Sequence, residues 1–470
     1  MGVLEVYFFL LAGVVIGVRG HVRLLYPDAR AYALDAIGSR YPGMCGMPRD
    51  FNRPTNIQAG STFNVTWNVG SAHEGGWRVE LLDTNYHLLS LLVPQGGAKN
   101  DWYGTNPVAS TQAVTLPKGL TCQNCVLRLL KLGGMASPDR PAPTYYFNTC
   151  SDINVIDEDV PKKCSGNGKW TGTACECRKP FVGDICQFSD ECAEDADCGR
   201  HGTCVDTQAI SYPKKQCYCS LGWHGIGCAM ESPVKTLDFK PEDFHQLSAK
   251  FAKFNFYWRI LKDLGEIEVV IVAKSTNWLA LGWRSSALNS SCKAFPDIAR
   301  ETVVTAAADG QPVETVVDFL DRNHPYFTGP LHPMACTDIT YIAARGKLSR
   351  IRDSYTRDHS TPREDSVFGG QCNLVAAIAS EDPETNMVTA LFRKKLIASE
   401  PSDQSITDGT MHVIWALGQE PFDPTGKTLN QVDKKEMVKQ FYRKGELNSH
   451  GHDPKSRGVW EVNLQTGATA

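Results

Sequence analysis

The chain has 470 residues, too many for one core, and suggests two or three domains. Its 48 Lys and Arg against 52 Asp and Glu leave a net charge of -4. With no basic stripe and no acidic tail, nothing points to a nucleic-acid partner. Of 17 Cys, fourteen precede residue 230, and ten of those fall between Cys164 and Cys228. A reducing compartment does not sustain such density as disulfides, so the expectation is an exported protein.

Chain order begins with an apolar run from Val6 through Val18, too short to span a bilayer, followed by Val18-Arg19-Gly20. Compact residues at these positions read as a signal peptide over 1–20, with Glu5 an unusual feature of its leading part. The expected mature chain therefore starts at His21. No second apolar run of membrane length follows, and the end Gly458-Val459-Trp460-Glu461-Val462 to Ala470 is polar. The expectation is a secreted, extracellular protein, soluble or matrix-bound, with no membrane span and no lipid anchor. Two sequons, at Asn64 and Asn289, are compatible with glycosylation.

Residues 21–158 alternate apolar and polar side chains in short runs, as at Thr62–Trp67, Trp77–Leu81, Cys125–Leu132 and Tyr146–Ile156. Gly, Pro and Asn separate these runs, which predicts an Ig-like β-sandwich. Its four Cys allow three pairings; Cys122–Cys125 with Cys45–Cys150 is favoured over a zinc or redox role for the Cys-x-x-Cys pair. Residues 159–190 and 191–229 are Cys- and Gly-rich, with little apolar sequence. Units this small need disulfide staples, and the expected role is a semi-rigid spacer or a surface for a protein partner. Residues 236–465 return to strand-like runs and predict a second β-sandwich. The fold class expected for the whole is all-β and multidomain. The set Cys292, Cys336 and Cys372 is odd, so one thiol stays free or pairs elsewhere.

Cleavage before His21 would leave an α-amine and an imidazole on one residue. A second imidazole completes a three-nitrogen set suited to copper. His73 is the candidate, because it stands just before a strand in Ser71-Ala72-His73-Glu74-Gly75-Gly76-Trp77. The start His21-Val22-Arg23-Leu24-Leu25-Tyr26-Pro27, this His73 segment and the run Tyr146-Phe147-Asn148-Thr149-Cys150 together resemble a lytic polysaccharide monooxygenase of the chitin-binding type 4-like kind. The resemblance covers 21–158 and implies copper on His21 and His73, with Phe147 closing the axial side. It puts Tyr145 where some branches carry a Gln that handles oxygen, and leaves Glu74 a candidate by proximity. The activity it implies is oxidative cleavage of a β-1,4-linked polysaccharide, chitin or cellulose-like. Non-catalytic binding of glycan, matrix or copper is the alternative. His87 and His201 read as ordinary surface or core residues.

The spacing of Cys192, Cys198, Cys204, Cys217, Cys219 and Cys228, with Gly222-Trp223 and Gly225, resembles an EGF-like module. That likeness implies the pairs Cys192–Cys204, Cys198–Cys217 and Cys219–Cys228. Cys164, Cys175, Cys177 and Cys186 look like a shortened relative with two bridges. The segments Trp278–Trp283, Ala390–Leu396 with Asp403, and His412–Gly418 resemble a DOMON domain. Haem-binding members ligate through a Met and a His. That implies haem b with His412 as one ligand, although the usual Met after Gly282-Trp283 is missing.

Overall fold

The computed structural model describes residues 22–30, 45, 54–70, 76–97, 102–132, 146–158, 160–209, 212–295, 302–303, 314–315, 329–419, 447–451 and 453–469. The chain is all-β and multidomain: among the described residues there is no α-helix, only strands and short 3-10 turns. No described helix is long and apolar enough to cross a membrane.

The first sandwich is made by β1 (Val22–Tyr26), β2 (Thr55–Gln58), β3 (Thr62–Val69), β4 (Trp77–Leu82), β5 (Leu88–Val93), β6 (Thr111–Thr115), β7 (Cys122–Leu132) and β8 (Tyr146–Ile156). A three-stranded sheet, β1-β3-β6, faces a five-stranded one, β2-β8-β7-β4-β5. Alternation drives this arrangement, because successive strand side chains point to opposite faces. In β1, Val22 and Leu24 point into the core while Arg23 and Leu25 are only half-buried. The inner faces of both sheets meet in one core containing Val22, Leu24, Trp67, Val69, Trp77, Leu129 and Phe147. Two contacts seat β1 on the opposite sheet. Leu24 N–H donates to Thr149 Oγ1 at 3.2 Å, and buried Arg30 grips Asp152 through two hydrogen bonds of 2.8 and 3.0 Å.

The Cys-rich stretch contributes β9 (Gly168–Trp170), β10 (Cys175–Cys177), β11 (Phe181–Val182), β12 (Phe188–Ser189), β13 (Gly202–Asp206), β14 (Lys215–Ser220), β15 (Trp223–His224) and β16 (Met230–Glu231). The second sandwich contains β17 (His245–Ala249), β18 (Phe254–Leu261), β19 (Glu266–Lys274), β20 (Trp278–Ser285), β21 (Thr302–Val303), β22 (Glu314–Thr315), β23 (Thr337–Arg345), β24 (Leu348–Thr356), β25 (Arg363–Glu364), β26 (Ala376–Asp382), β27 (Met387–Lys395), β28 (Met411–Leu417) and β29 (Arg457–Val462). Its five-stranded sheet runs β17-β18-β19-β27-β26. The facing sheet runs β13-β14-β24-β23-β20-β28-β29, with β25 added on β24. Strands β21 and β22 pair with each other.

The second Cys-rich module does not stand free as a spacer. Cys219 and Ser220 of β14 pair with Ser349 and Leu348 of β24, so the second Cys-rich module extends the large sheet of the third domain. Tyr218 is buried there against Tyr341 and Ala343. Glu191 is gripped by Arg350 at 2.9 Å and by Arg352. The reason is ordinary sheet chemistry, since an open strand edge presents unpaired amides and carbonyls that a neighbouring strand can satisfy.

Eight disulfides join the described cysteines: Cys45–Cys150, Cys122–Cys125, Cys164–Cys175, Cys177–Cys186, Cys192–Cys204, Cys198–Cys217, Cys219–Cys228 and Cys292–Cys336. Cys372 remains a thiol. The odd set of three thus resolves into one bridge and one free side chain.

Candidate functional site

His21, His73, Glu74 and Tyr145 lie outside the described residues, as does the side chain of Tyr146. Their flanks are described. Val22 pairs with Val69 at the end of β3, and β4 opens at Trp77. Across the facing sheet, Trp77 pairs with Lys131 of β7, and Lys131 with Phe147 of β8. Directly paired residues project their side chains to the same face. Trp77, Lys131 and Phe147 therefore form a row on the inner face, and Val22, Val69, Trp77 and Phe147 share one core. Phe147 is buried, so the side chain expected to close an axial position is an apolar one within the sandwich.

Lys131 is the member of this row that sequence reasoning missed. It is 3% exposed; its ammonium donates to the carbonyl of Asn106 at 3.3 Å and lies 5.1 Å from the centre of the Trp77 ring. Burial pushes it down to about 8. The signal in the sequence was a Lys inside the apolar run Val126–Leu132, at an inward position. Beside it, Trp77 and Tyr103 exchange two backbone hydrogen bonds of 2.9 Å. The Tyr103 ring packs edge-on against Trp77 at 5.5 Å and is 46% exposed.

The other named histidines have structural surroundings. His87 sits on the surface beside Asp83 at 3.1 Å, and His201 stacks on Trp223 at 3.5 Å. Asn64 and Asn289 are exposed.

The third domain has a second candidate. A cavity of about 430 Å³ lies on the outer face of the large sheet. Its floor includes Ala280, Gly282, Ile414 and Ala416, and its rim carries His332, Met334, His359 and His450. His332 and His359 rings are 5.2 Å apart. Gly70 of the first domain completes the lining, its carbonyl accepting from Ser449 N–H at 3.0 Å. A largely apolar hollow with a few convergent polar groups, at a junction of domains, is where small ligands bind most often. His412 does not line it. In β28 the residues Met411, Val413 and Trp415 turn inward, while His412, Ile414 and Ala416 face outward. His412 stands one row beyond the cavity, opposite Arg284 in the register and 3.7 Å from Glu461. Burial and then the Arg284 charge hold its imidazole below the ordinary value. The cavity's own histidines lie in loops, which carry no periodicity for sequence reading to detect.

A third polar cluster is structural. Lys394 is buried with its ammonium 2.7 Å from Asp338, 2.7 Å from Asp353 and 2.8 Å from Asp403. The space among these carboxylates is filled by the ammonium itself. Burial, and then Asp353, push the nearby Cys372 thiol up to about 11, so it is a poor nucleophile at neutral pH.

No protein-family model matches the chain. Two curated proteins are similar over short stretches. The basement membrane proteoglycan of Caenorhabditis elegans is 25% identical over 101 residues, 22% of this chain and 3% of that protein. Protein eyes shut homolog of Macaca fascicularis is 29% identical over 107 residues, 23% of this chain and 3% of that protein. The chain thus spans about 3% of the length of these relatives. Among solved structures, it is similar to a lytic polysaccharide monooxygenase AA15 from Thermobia domestica in the Cu(I) state. Identity is 24% and the TM-score 0.22, with 29% of this chain and all of that one covered. A chitin binding domain from Burkholderia pseudomallei has 12% identity and a TM-score of 0.17 over the same share of each chain.

Proposed function

We propose that the first domain would hold copper between His21 and His73, with Phe147 as an apolar wall beside them, and cleave a β-1,4-linked polysaccharide oxidatively. What supports this is the convergence of the flanking strands: Val22 meets Val69, β4 opens at Trp77, and Phe147 joins them in one core. The donor set also suits the metal, since an amine and two imidazoles form a nitrogen ligation that copper prefers. Copper held there would supply one-electron redox chemistry toward oxygen or peroxide. The chain's own contribution is to bind and orient. Val22 and Leu24 anchor the leading strand in the core, and the Arg30–Asp152 pair fixes its far end. Phe147 would exclude water from one side of the site, and a rigid scaffold would hold metal and glycan together. A protein starting at His21, loaded with copper and given ascorbate with β-chitin or cellulose, should release oxidised oligosaccharides detectable by mass spectrometry. A chain that retains Gly20 should not. Glycan binding with no oxidised product from the His21 form would leave the non-catalytic alternative; no glycan binding and no product would reduce the reading to copper handling.

A second reading concerns the third domain, as the seat of a haem b. It is supported by the cavity, where His332, His359, His450 and Met334 supply nitrogen and sulfur donors around an apolar hollow. These residues fit a haem better than His412, which stands outside the lining. Because β13 and β14 continue the domain's sheet, the test belongs on the full chain. Haemin reconstitution should give a Soret band that weakens in His359→Ala or His450→Ala and persists in His412→Ala. A colourless reconstituted chain would rule haem out.

A further inference from the structure

We infer that the third domain carries a calcium site at the buried end of its sandwich, with Asp365 and Thr340 as ligands beside Asp353 and Asp338. The three carboxylates around Lys394 do not by themselves call for a metal, because the ammonium fills the space among them. What points to an ion is the set of oxygens that the ammonium does not serve. Asp365 is 1% exposed, and neither its Oδ1 nor its Oδ2 has a hydrogen-bond partner among the described residues. Thr340 is also 1% exposed, and its Oγ1 is equally unpartnered. Buried polar atoms without a partner are rare in folded proteins, and each calls for a proton, a water or an ion.

Strand register brings these oxygens together. Asp338 and Thr340 are two residues apart on β23 and project to one face, and Thr340 pairs directly with Asp353 of β24. Ile342 and Ile351, the next residues along that face of each strand, lie in the domain's core, so this face is the inner one. Asp365 opens the 3-10 turn Asp365–Phe368, which follows β25. Its carbonyl accepts from Gly370 N–H at 3.0 Å. The Phe368 ring packs edge-on at 5.5 Å against Tyr355, the register partner of Asp338. The turn is thus fastened across the ends of β23 and β24. The charges that act most strongly on Asp365 are those of Asp353 and then Asp338.

The donors here are carboxylates and a hydroxyl. Such a set takes a hard cation and lacks the nitrogen and sulfur that copper or zinc prefers. Asp353 gives Oδ1 to Lys394 and Oδ2 to Asn373 N–H at 2.8 Å. Asp338 gives Oδ1 to Lys394 and Oδ2 to Gln404 N–H at 3.3 Å. A carboxylate oxygen with one hydrogen bond keeps a further lone pair for a metal. Calcium suits the place better than magnesium, since it accepts roughly six to eight oxygens in irregular geometry, whereas magnesium holds to an octahedron and keeps its water. Charge agrees as well. Asp338, Asp353, Asp365 and Asp403 share the one ammonium of Lys394, and a divalent cation would offset the charge it leaves. A hollow of about 290 Å³, lined by Trp283, Asp338, Cys372, Lys394 and Asp403, gives the ion a way in.

The test uses the full chain, freed of metal with EGTA and titrated with calcium. Calcium should raise the denaturant midpoint of the third domain, because an ion that binds only the folded state stabilises it. Terbium in its place should luminesce on excitation of tryptophan, since the Trp283 ring lies 6.0 Å from the Lys394 ammonium beside the cluster. Asp365→Asn removes one ligand charge and keeps the shape; it should weaken calcium binding at least about tenfold and abolish the midpoint shift. Thr340→Val should weaken binding several-fold. An amide needs no counter-charge, so the Asp365→Asn chain should fold without metal, which its metal-free midpoint checks. No calcium response in the wild-type chain overturns the inference and leaves the unpartnered oxygens to a proton and water. A response that Asp365→Asn leaves unchanged also overturns it, because the ion then sits elsewhere, as in the Cys-rich modules.

Discussion

Lys131 and Lys394 are both buried near the ends of long strands in β-sandwiches, but the two domains hold them in opposite ways. In the third domain, burial works against the Lys394 charge, yet Asp338, Asp353 and Asp403 hold it well above its ordinary value. In the first domain, Lys131 rests on an aromatic face and a backbone carbonyl, and burial pushes it down to about 8. The contrast separates two uses of a buried cation. Three carboxylates around an ammonium lock strands together, because each ion would be costly without the others. An ammonium whose value burial pushes down costs stability while it stays charged.

The largest expected effect breaks the locked site. Lys394→Met leaves three carboxylates facing one another and should cost about 3–5 kcal/mol in chemical denaturation of the third domain. Lys131→Met should do the reverse. Its native value, about 8, lies below the ordinary 10.5, so the unfolded chain binds more protons across that window. Wild-type stability therefore rises with pH from about 8 to 10.5, and the cost is fully present below 8. The Met variant should be more stable at pH 7 by roughly 1–3 kcal/mol and should lack that slope. Equal losses in the two variants would erase the distinction between the lysines.

Asp365 sharpens the comparison within the third domain. Neither of its buried oxygens has a hydrogen-bond partner among the described residues. Burial, then Asp353 and Asp338, push it up to about 9 from 3.8. The folded chain keeps a proton there that the unfolded chain releases, so this group's contribution to stability declines as pH rises from about 4 to 9. Asp365→Asn should flatten that decline, measured as denaturation midpoints at pH 5, 7 and 9. The smallest effect expected is at the seam between module and sandwich. Glu191→Gln weakens the grip of Arg350 and Arg352 and should cost about 1–2 kcal/mol, read as faster limited proteolysis between Cys228 and His245.

Much of the fold was legible because it rests on local regularities. Period-two alternation located the strands around Thr62–Trp67, Trp77–Leu81 and Cys125–Leu132, and the density of cysteines announced the disulfides. Of the proposed site, Phe147 is described and lies in the first core, while His21 and His73, named from recognisable runs, lie outside the described residues. Lys131 and Tyr103 were not legible, because neither sits in a motif; what matters is which strands their neighbours pair with. The loop histidines His332, His359 and His450 escaped for the same reason, and His412 drew attention because it lay inside a readable strand.

By itself, then, the sequence determined which segments would be strands, where cysteines would crowd, and that a cut before His21 would create an amine beside an imidazole. Only the tertiary structure decided that the second Cys-rich module joins the third domain's sheet, that Lys394 is caged while Lys131 lies on a tryptophan, and that Gly70 meets Ser449 at the rim of an apolar cavity. The physical reason is that strand propensity and disulfide density are written over a few residues. Register, edge pairing and the balance of buried charge depend on groups far apart in the chain, which meet only on folding.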